Sequence, residues 1–299
     1  MRSGFASVVG RPNVGKSTLV NALVGQKVAI TTPVPGTTRH AIRGVLHRPA
    51  EEADGEDAQV VFVDTPGLHK PQSVLGTRMN EVAREQFGGV DLVVLLVDAA
   101  AGVGRGDAYV AGLLADAPVP VLAAANKVDR LSRPAQLPAL AALADLGDFE
   151  EVVPISAATG EGLDTLTELI LARLPEGPPY FPPEMASDQP LERVLSEIIR
   201  EKAIVRMREE VPHSVAVVVE EVGPGESEGV TAVHAVLYVE RDSQRGIVIG
   251  HHGRVLGEIG RAARQELELV LGSRVWLDLR VKLMKEWQRD PKALQRLGY

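Results

Sequence analysis

The sequence predicts an α/β domain with a mostly parallel sheet and helices on both faces, followed by a smaller α+β domain. Three observations predict it. Short apolar runs alternate with amphipathic segments through the first 175 residues, the rhythm of strands joined by crossover helices. Residues 10–17 read Gly-Arg-Pro-Asn-Val-Gly-Lys-Ser, a full match to the phosphate-binding P-loop pattern G-x-x-x-x-G-K-[ST], set between an apolar run and a helical stretch. Six prolines interrupt the chain from Pro175 to Pro190, and a different pattern begins beyond them. The boundaries that follow are a first domain over 1–175, a semi-rigid linker over 176–190 and a second domain over 191–299.

In the first domain the apolar runs at 5–9, 60–63, 92–97, 119–125 and 152–155 are expected as buried strands. Amphipathic segments at 16–24, 74–87, 107–116, 135–146 and 163–173 are expected as the helices between them. The acidic stretch Ala50 to Asp57 is expected as an exposed hairpin loop. The second domain opens with a helical pattern from Leu191 to Arg208, then strand-like runs Ser214 to Val222 and Val230 to Glu240. A helix running to Leu271 precedes a strongly alternating strand. There Val275, Leu277, Leu279, Val281 and Leu283 face one way and Arg274, Trp276, Asp278, Arg280 and Lys282 the other. Pattern alone makes 246–249 a further strand.

Composition narrows the function. The chain has 299 residues, too many for one small core, and no cysteine, which excludes disulfides, thiolate zinc sites and cysteine nucleophiles. Its longest apolar run, Leu92 to Val97, is too short to span a bilayer, and an apolar strand starting at residue 5 leaves no room for a signal peptide. A soluble cytoplasmic protein is expected. The net charge is −8, yet residues 241–299 carry 12 Lys/Arg against 7 Asp/Glu, while residues 180–240 carry 5 against 12. A basic tail on an acidic protein suits a segment that meets a polyanion, or a solvated helical face.

Within the P-loop, Gly10 and Gly15 let the backbone wrap so that successive N–H groups of Arg11, Asn13, Val14 and their neighbours point at phosphate oxygens, with Pro12 part of the same nucleotide-binding loop. Lys16 can reach the outer phosphates, the Ser17 hydroxyl can ligate Mg²⁺, and Thr18 opens the helix whose N-terminus favours the anion. Four further elements follow in order. Thr37 and Thr38 lie on a loop where one hydroxyl can complete the Mg²⁺ shell. Asp64-Thr65-Pro66-Gly67 ends an apolar run, so that Asp64 can hold Mg²⁺ through water and the Gly67 amide can reach the γ-phosphate. Asn126-Lys127-Val128-Asp129 follows a buried run. Asp129 can accept from the N1–H and exocyclic amine of guanine, Lys127 can cover the base, and Asn126 can tie the loop. Finally the N–H of Ala157, in Ser156-Ala157-Ala158, can meet guanine O6. Each element alone has a bland reading as a turn; together they specify a GTP-binding domain with GTP or GDP and Mg²⁺ as ligands.

With these motifs placed, the chain resembles the Era family, in which a single GTPase domain is followed by a C-terminal KH domain, here of type II. The resemblance extends to the last residue. Gly250-His251-His252-Gly253 is similar to the KH GxxG loop, and the ending from Trp287 to Tyr299 looks like Era. It makes 246–249 the end of a short helix rather than a strand. One departure is Gly36 where Era proteins usually carry Gln; Gly is common there in the related Der GTPases, which have two GTPase domains. The resemblance implies a ribosome assembly factor whose KH domain holds the 3′ end of small-subunit (16S) rRNA, acting on the 30S subunit in its maturation. It also implies a monomer with weak peripheral attachment to the inner face of the cell membrane.

A KH domain clamps single-stranded RNA between its GxxG loop and a sheet edge. Carried onto this chain, Ile249, Gly250, His251, His252, Gly253, Arg254, Arg261 and Lys282 are the RNA-binding candidates, with Arg264, Arg280 and Lys285 adding charge and Val255 an apolar floor. For hydrolysis the candidates are Lys16, Thr38, Gly67 and Asn13. The position that often carries a water-orienting Gln holds Leu68, followed by His69, and Arg39 is the nearest arginine to the threonine pair. Slow intrinsic hydrolysis is expected. Related GTPases with an apolar residue there use K⁺, held in part by a P-loop Asn, and Asn13 occupies that place; loop stabilisation is the other reading of it. A Der-like GTPase, or a GTP-switched binder of another RNA or of a protein, remains the alternative.

Overall fold

The computed structural model describes residues 1–50, 56–68, 75, 77–79, 81 and 89–299. They form two compact units, one built mainly on residues 1–188 and the other mainly on 189–299. In the first, six strands lie in the order β2-β3-β1-β4-β5-β6: β1 Arg2–Val9, β2 Ile42–Arg48, β3 Ala58–Asp64, β4 Leu92–Asp98, β5 Val121–Asn126 and β6 Glu151–Pro154. All pairs are parallel except β2 with β3. Helices α1 (Lys16–Val24) and α4 (Leu163–Arg173) cover one face through Leu19, Val20, Leu166 and Ile170. Helices α2 (Arg105–Leu114) and α3 (Arg133–Ala144) cover the other through Val110, Leu114 and Leu143. Both faces being buried explains the nearly continuous apolar runs of the inner strands.

Register places the chemistry. Val8 at the end of β1 pairs with Asp64 at the end of β3, and Asp98 at the end of β4 pairs with Asn126 at the end of β5. The loops that carry the motifs therefore emerge together at the carboxyl edge of the sheet, where open α/β folds bind ligands.

Two parts of the first unit differ from the sequence expectation. Strand β2 was not among the expected runs. It is an edge strand with one apolar face, interrupted by Gly44, where a Cβ would come within 2.9 Å of methyls of both Val20 and Val24; the glycine lets α1 lie close. The proline-rich segment, expected as a linker over 176–190, is fastened to the first unit as far as Asp188. Ser3 Oγ donates to Pro178 O, Ala186 O accepts from the N–H of Val45, and Asp188 pairs with Arg43 at 2.7 Å. The buried Gln59 carboxamide donates to Phe181 O and accepts from the N–H groups of Tyr180 and Phe181, while the Tyr180 ring packs edge-on against Phe5. Proline stiffness serves here to lay an extended segment along a surface. Most of the expected acidic loop and of the helix over 74–87 lies outside the described residues.

The second unit begins with α5 (Leu191–Arg206), then β7 (Ala216–Pro224), β8 (Val230–Val239), α6 (Asp242–Ile249), α7 (Arg254–Leu271), β9 (Arg274–Leu283) and α8 (Pro291–Leu297). Its sheet runs β7-β8-β9, antiparallel in the first pair and parallel in the second. Side chains of α5, α6 and α7 join Val217, Val233, Leu237 and Val275 in one core. The alternation expected in β9 holds: its apolar set packs into that core and Arg274, Trp276, Arg280 and Lys282 are exposed. Residues 246–249 are helical, as the resemblance implied and against the apolar pattern. Gln244 Oε1 accepts the N–H groups of Glu240 and Arg241 at the start, and Gly250 at φ 71° stops the helix. Among the described residues no helix is long and apolar enough to cross a membrane.

Candidate nucleotide and nucleic-acid sites

The P-loop carries its own phosphate cradle. Lys16 is buried, and its ammonium donates to the carbonyl oxygens of Gly10 and Arg11, both at 3.2 Å, so the side chain lies across the loop. Burial lowers its pKa to about 8, against the pull of Asp64. Gly15 has φ 106° and lies so close to the Asn126 carboxamide that a side chain there would collide. Gly67 lies against the loop from the other side, where a Cβ would come 2.8 Å from the Pro12 nitrogen. Val14 is buried in the core, and Thr18 continues α1. Thr65 Oγ1 donates to Val8 O, which ties the start of the D-x-x-G loop to β1; Pro66 is buried beside it.

Three oxygen groups converge beside Lys16. Ser17 Oγ donates to Asp64 Oδ2 at 2.6 Å and lies 2.9 Å from Thr38 Oγ1, which is itself 3.4 Å from the same carboxylate oxygen. Of the two candidate threonines, Thr38 is the one brought to the cluster. Asp64 Oδ1 is buried with no hydrogen-bond partner, and an ionised carboxylate left half-satisfied in a buried site is costly. The all-oxygen donor set and the orphaned oxygen fit Mg²⁺, with Ser17 and Thr38 as direct candidates and Asp64 beside them.

Burial raises the Asp64 pKa to about 6, with Lys16 and the two hydroxyls opposing. An unfolded Asp titrates near 4. Between those values the folded chain keeps a proton that the unfolded chain has lost, so this group's contribution is present below about pH 4 and lost as pH rises through about 6. Without nucleotide, the stability of the parent relative to Asp64→Asn should therefore fall by about 2 kcal/mol between pH 4.5 and 7.5. Thermal melts of both proteins across that range check it; a constant difference would contradict the buried, ionisable Asp64.

At the base side, Asn126 ties three loops together. Its Nδ2 donates to Val14 O at 2.8 Å and its Oδ1 accepts the Ala157 N–H at 2.9 Å. Lys127, at φ 67°, donates from Nζ to Asn13 O at 2.8 Å and to Asp98 Oδ2 at 2.6 Å. Asp129 sits exposed on the 3₁₀ turn Val128–Arg130, whose first N–H is bonded to Ile155 O. Ser156 is buried and its Oγ accepts from Thr159, which closes the loop over Ala157 and Ala158. The structure thus joins the P-loop to Thr38, Asp64 and Gly67 on one side and to Asn126, Lys127 and, through Asn126, Ala157 on the other. It adds two acidic residues that the motifs did not reveal. Asp107 is buried, grips the Arg11 guanidinium at 2.9 Å and accepts the Gly104 N–H at the start of α2. Asp98 holds Lys127. One signal was available: Val-Asp closes both β3 and β4.

Leu68 is buried among Val9, Val63 and Val97 and its N–H donates to Gly10 O, so its side chain belongs to the core. Arg39 is buried as well. His69 lies outside the described residues.

In the second unit, Gly250, His252 and Gly253 have φ 71°, 52° and 76°. At Gly250 a Cβ would come 2.5 Å from a Val255 methyl, so the turn needs glycine. His251 and His252 are exposed with rings 4.0 Å apart, Ile249 is half-buried, and Arg254, Arg261, Arg264 and Lys282 are exposed. Arg254 pairs with Glu258 along α7 at 3.0 Å, and Lys282 lies 3.7 Å from Glu220. Among the described residues no group of three or more His, Cys, Asp or Glu side chains forms that could hold a metal, at the histidine pair or elsewhere.

Residues 5–127 match the family described as 50S ribosome-binding GTPase and residues 210–288 the KH domain. Over its whole length the chain is 48% identical to the GTPase Era of Mycolicibacterium paratuberculosis and 50% identical to that of Corynebacterium diphtheriae, covering 99% and 97% of those proteins. The chain belongs to the Era family of GTPases. Two solved Era structures superpose on all of it at 40% identity. One, in complex with MgGDPNP and nucleotides 1506–1542 of 16S ribosomal RNA, has a TM-score of 0.96 over 99% of its length. The other, an Aquifex aeolicus Era variant bound to GDP and aluminium fluoride, has a TM-score of 0.94. As an Era-family protein the chain is a GTPase with a KH domain, and its ligands are guanine nucleotide and Mg²⁺.

Proposed function

We propose that this GTPase binds the 3′ end of small-subunit rRNA through the GxxG turn of its KH domain, and acts in maturation of the 30S subunit. The observation that carries the reading is the turn itself. Two left-handed glycines bracket an exposed histidine pair at the start of a helix that presents Arg254 and Arg261, which lets a phosphate backbone approach without side-chain obstruction. The full-length likeness to an RNA-bound Era supports the choice of RNA. Titration of a fluorescent single strand from the 16S 3′ end, repeated at several salt concentrations, tests it. Binding should weaken steeply with salt, and a scrambled strand should bind at least tenfold more weakly. Equal binding of both strands would point to another RNA or to a protein partner.

In the nucleotide site, Lys16 and the loop amides hold the phosphates, Ser17, Thr38 and Asp64 the Mg²⁺, and Gly67 the γ-phosphate side. Bound Mg²⁺ would neutralise charge on the phosphate oxygens. Asn126, Lys127, Asp129, Ser156, Ala157 and Ala158 form the base pocket. With Leu68 in the core and Arg39 buried, the described residues offer no side chain in the two usual places for orienting water or supplying a cation. Asn13, exposed at φ 64°, is the candidate for holding K⁺ instead. Steady-state hydrolysis should run on the order of tenfold faster in KCl than in NaCl, and Asn13→Ala should erase that ratio. Equal rates in the two salts would remove K⁺ from the reading.

A further inference from the structure

Lys127 carries the positive charge of the base-binding motif, and the carboxylate that pairs with it lies outside every motif. Its ammonium is shared between the Asn13 carbonyl and Asp98 Oδ2. Asp98 is itself fixed, because Oδ1 accepts the N–H of Ala101 at 3.0 Å and β4 pairs it directly with Asn126. Both side chains are largely withdrawn from solvent, with 21% of Lys127 and 13% of Asp98 exposed, so the pair is screened far less than a surface ion pair. The Lys127 backbone is in the left-handed region, which a lysine adopts only where its surroundings impose it.

We infer that Asp98 is a positioning residue for the nucleotide: its carboxylate holds the Lys127 ammonium against Asn13 O, and so joins the base pocket to the P-loop. A free lysine stem has several rotatable bonds and would sample many positions. Pinned at both acceptors, it lies as a fixed apolar wall at the base face and braces residue 13 of the loop. Arg11 adds to the same frame from the other side, gripped by Asp107 and close enough to help hold Asp98 ionised. The stretch Arg11 to Asn13, against which Gly67 packs, is thus tethered at both ends by carboxylates of α2 and β4. This inference rests on the nucleotide site proposed above.

The test uses Asp98→Asn in the full-length protein, since the amide keeps an acceptor for Ala101 and removes only the charge. Release of a fluorescent GDP analogue should be about tenfold faster than in the parent. The inosine analogue, which lacks the exocyclic amine, should be released faster by the same factor, because base-edge recognition by Asp129 is untouched. A merely structural role would add to any other lesion. Here, Asp98→Asn placed on Lys127→Met should have no further effect, because the group it positions is gone. Unchanged release by Asp98→Asn, or additivity with Lys127→Met, overturns the inference. Should the amide variant melt earlier, Asp98→Ser run through the same cycle decides on the same criterion. If the parent itself fails to bind the GDP analogue, the site reading falls first.

Discussion

Asp129→Asn is expected to exchange guanine for xanthine at the base pocket. The carboxylate accepts from two adjacent donors on the base edge, N1–H and the exocyclic amine; xanthine presents a carbonyl in place of the amine, which an Asn side-chain NH₂ can meet. The loop around Asp129 is held independently of it. The Val128 N–H is bonded to Ile155 O, the Arg130 N–H to Lys127 O, and Asn126 anchors the strand end to Val14 and Ala157, while Asp129 itself is exposed and free to change without loss of packing. Two hydrogen bonds to a charged acceptor are worth about 3–5 kcal/mol, so GTP affinity should fall on the order of 10²- to 10³-fold and XTP affinity rise correspondingly. Competition of GTP and XTP against a fluorescent GDP analogue measures both. Retained GTP affinity with no gain for XTP would mean that Asp129 does not read the base.

The second large effect is on RNA. His251→Asp with His252→Asp should abolish single-strand binding and leave nucleotide binding unchanged. Two carboxylates would stand between Gly250 and Gly253, where the phosphates must pass. Close like charges near a surface cost on the order of 1 kcal/mol or more each, so a loss of at least thirtyfold is expected. Both histidines are exposed and make no core contact, while the turn is set by its glycines and by Val255. The fold should survive, which circular dichroism verifies in the same samples. A folded double variant that still binds the 16S 3′ strand as tightly as the parent would defeat the GxxG reading.

Most of the first unit was legible because its inner strands are buried on both faces and therefore appear as unbroken apolar runs, each followed by a motif of fixed chemistry. Strand β2 was not. It is an edge strand with Arg43, His47 and Arg48 among its seven residues, and Gly44 breaks its alternation for the sake of α1, whose Val20 and Val24 lie 24 and 20 residues earlier in the chain. Gly246 to Ile249 misled in the opposite sense. Three β-branched residues, Ile247, Val248 and Ile249, look like a strand, but Gln244 and Gly250 cap a helix around them, and only the family likeness suggested so. In the site, residues that touch the ligand through fixed motifs were readable, whereas Asp98 and Asp107 were not. Their value depends on which lysine and which arginine the folded chain brings within reach. Leu68 was legible as an absence of water-orienting chemistry, though not as a core residue.

The attachment of residues 176–188 has a practical consequence for taking the protein apart. A chain cut after Pro175, where the first proline invites it, would keep the whole P-loop domain by pattern, yet it would leave the buried Gln59 carboxamide without the three backbone partners it has on Tyr180 and Phe181, and would bare one side of Phe5. Stranded buried amides are costly. A cut after Asp188 keeps all of these contacts. The independent piece is thus longer than its motifs suggest, and any autonomous GTPase fragment of this family member must carry its proline strap with it.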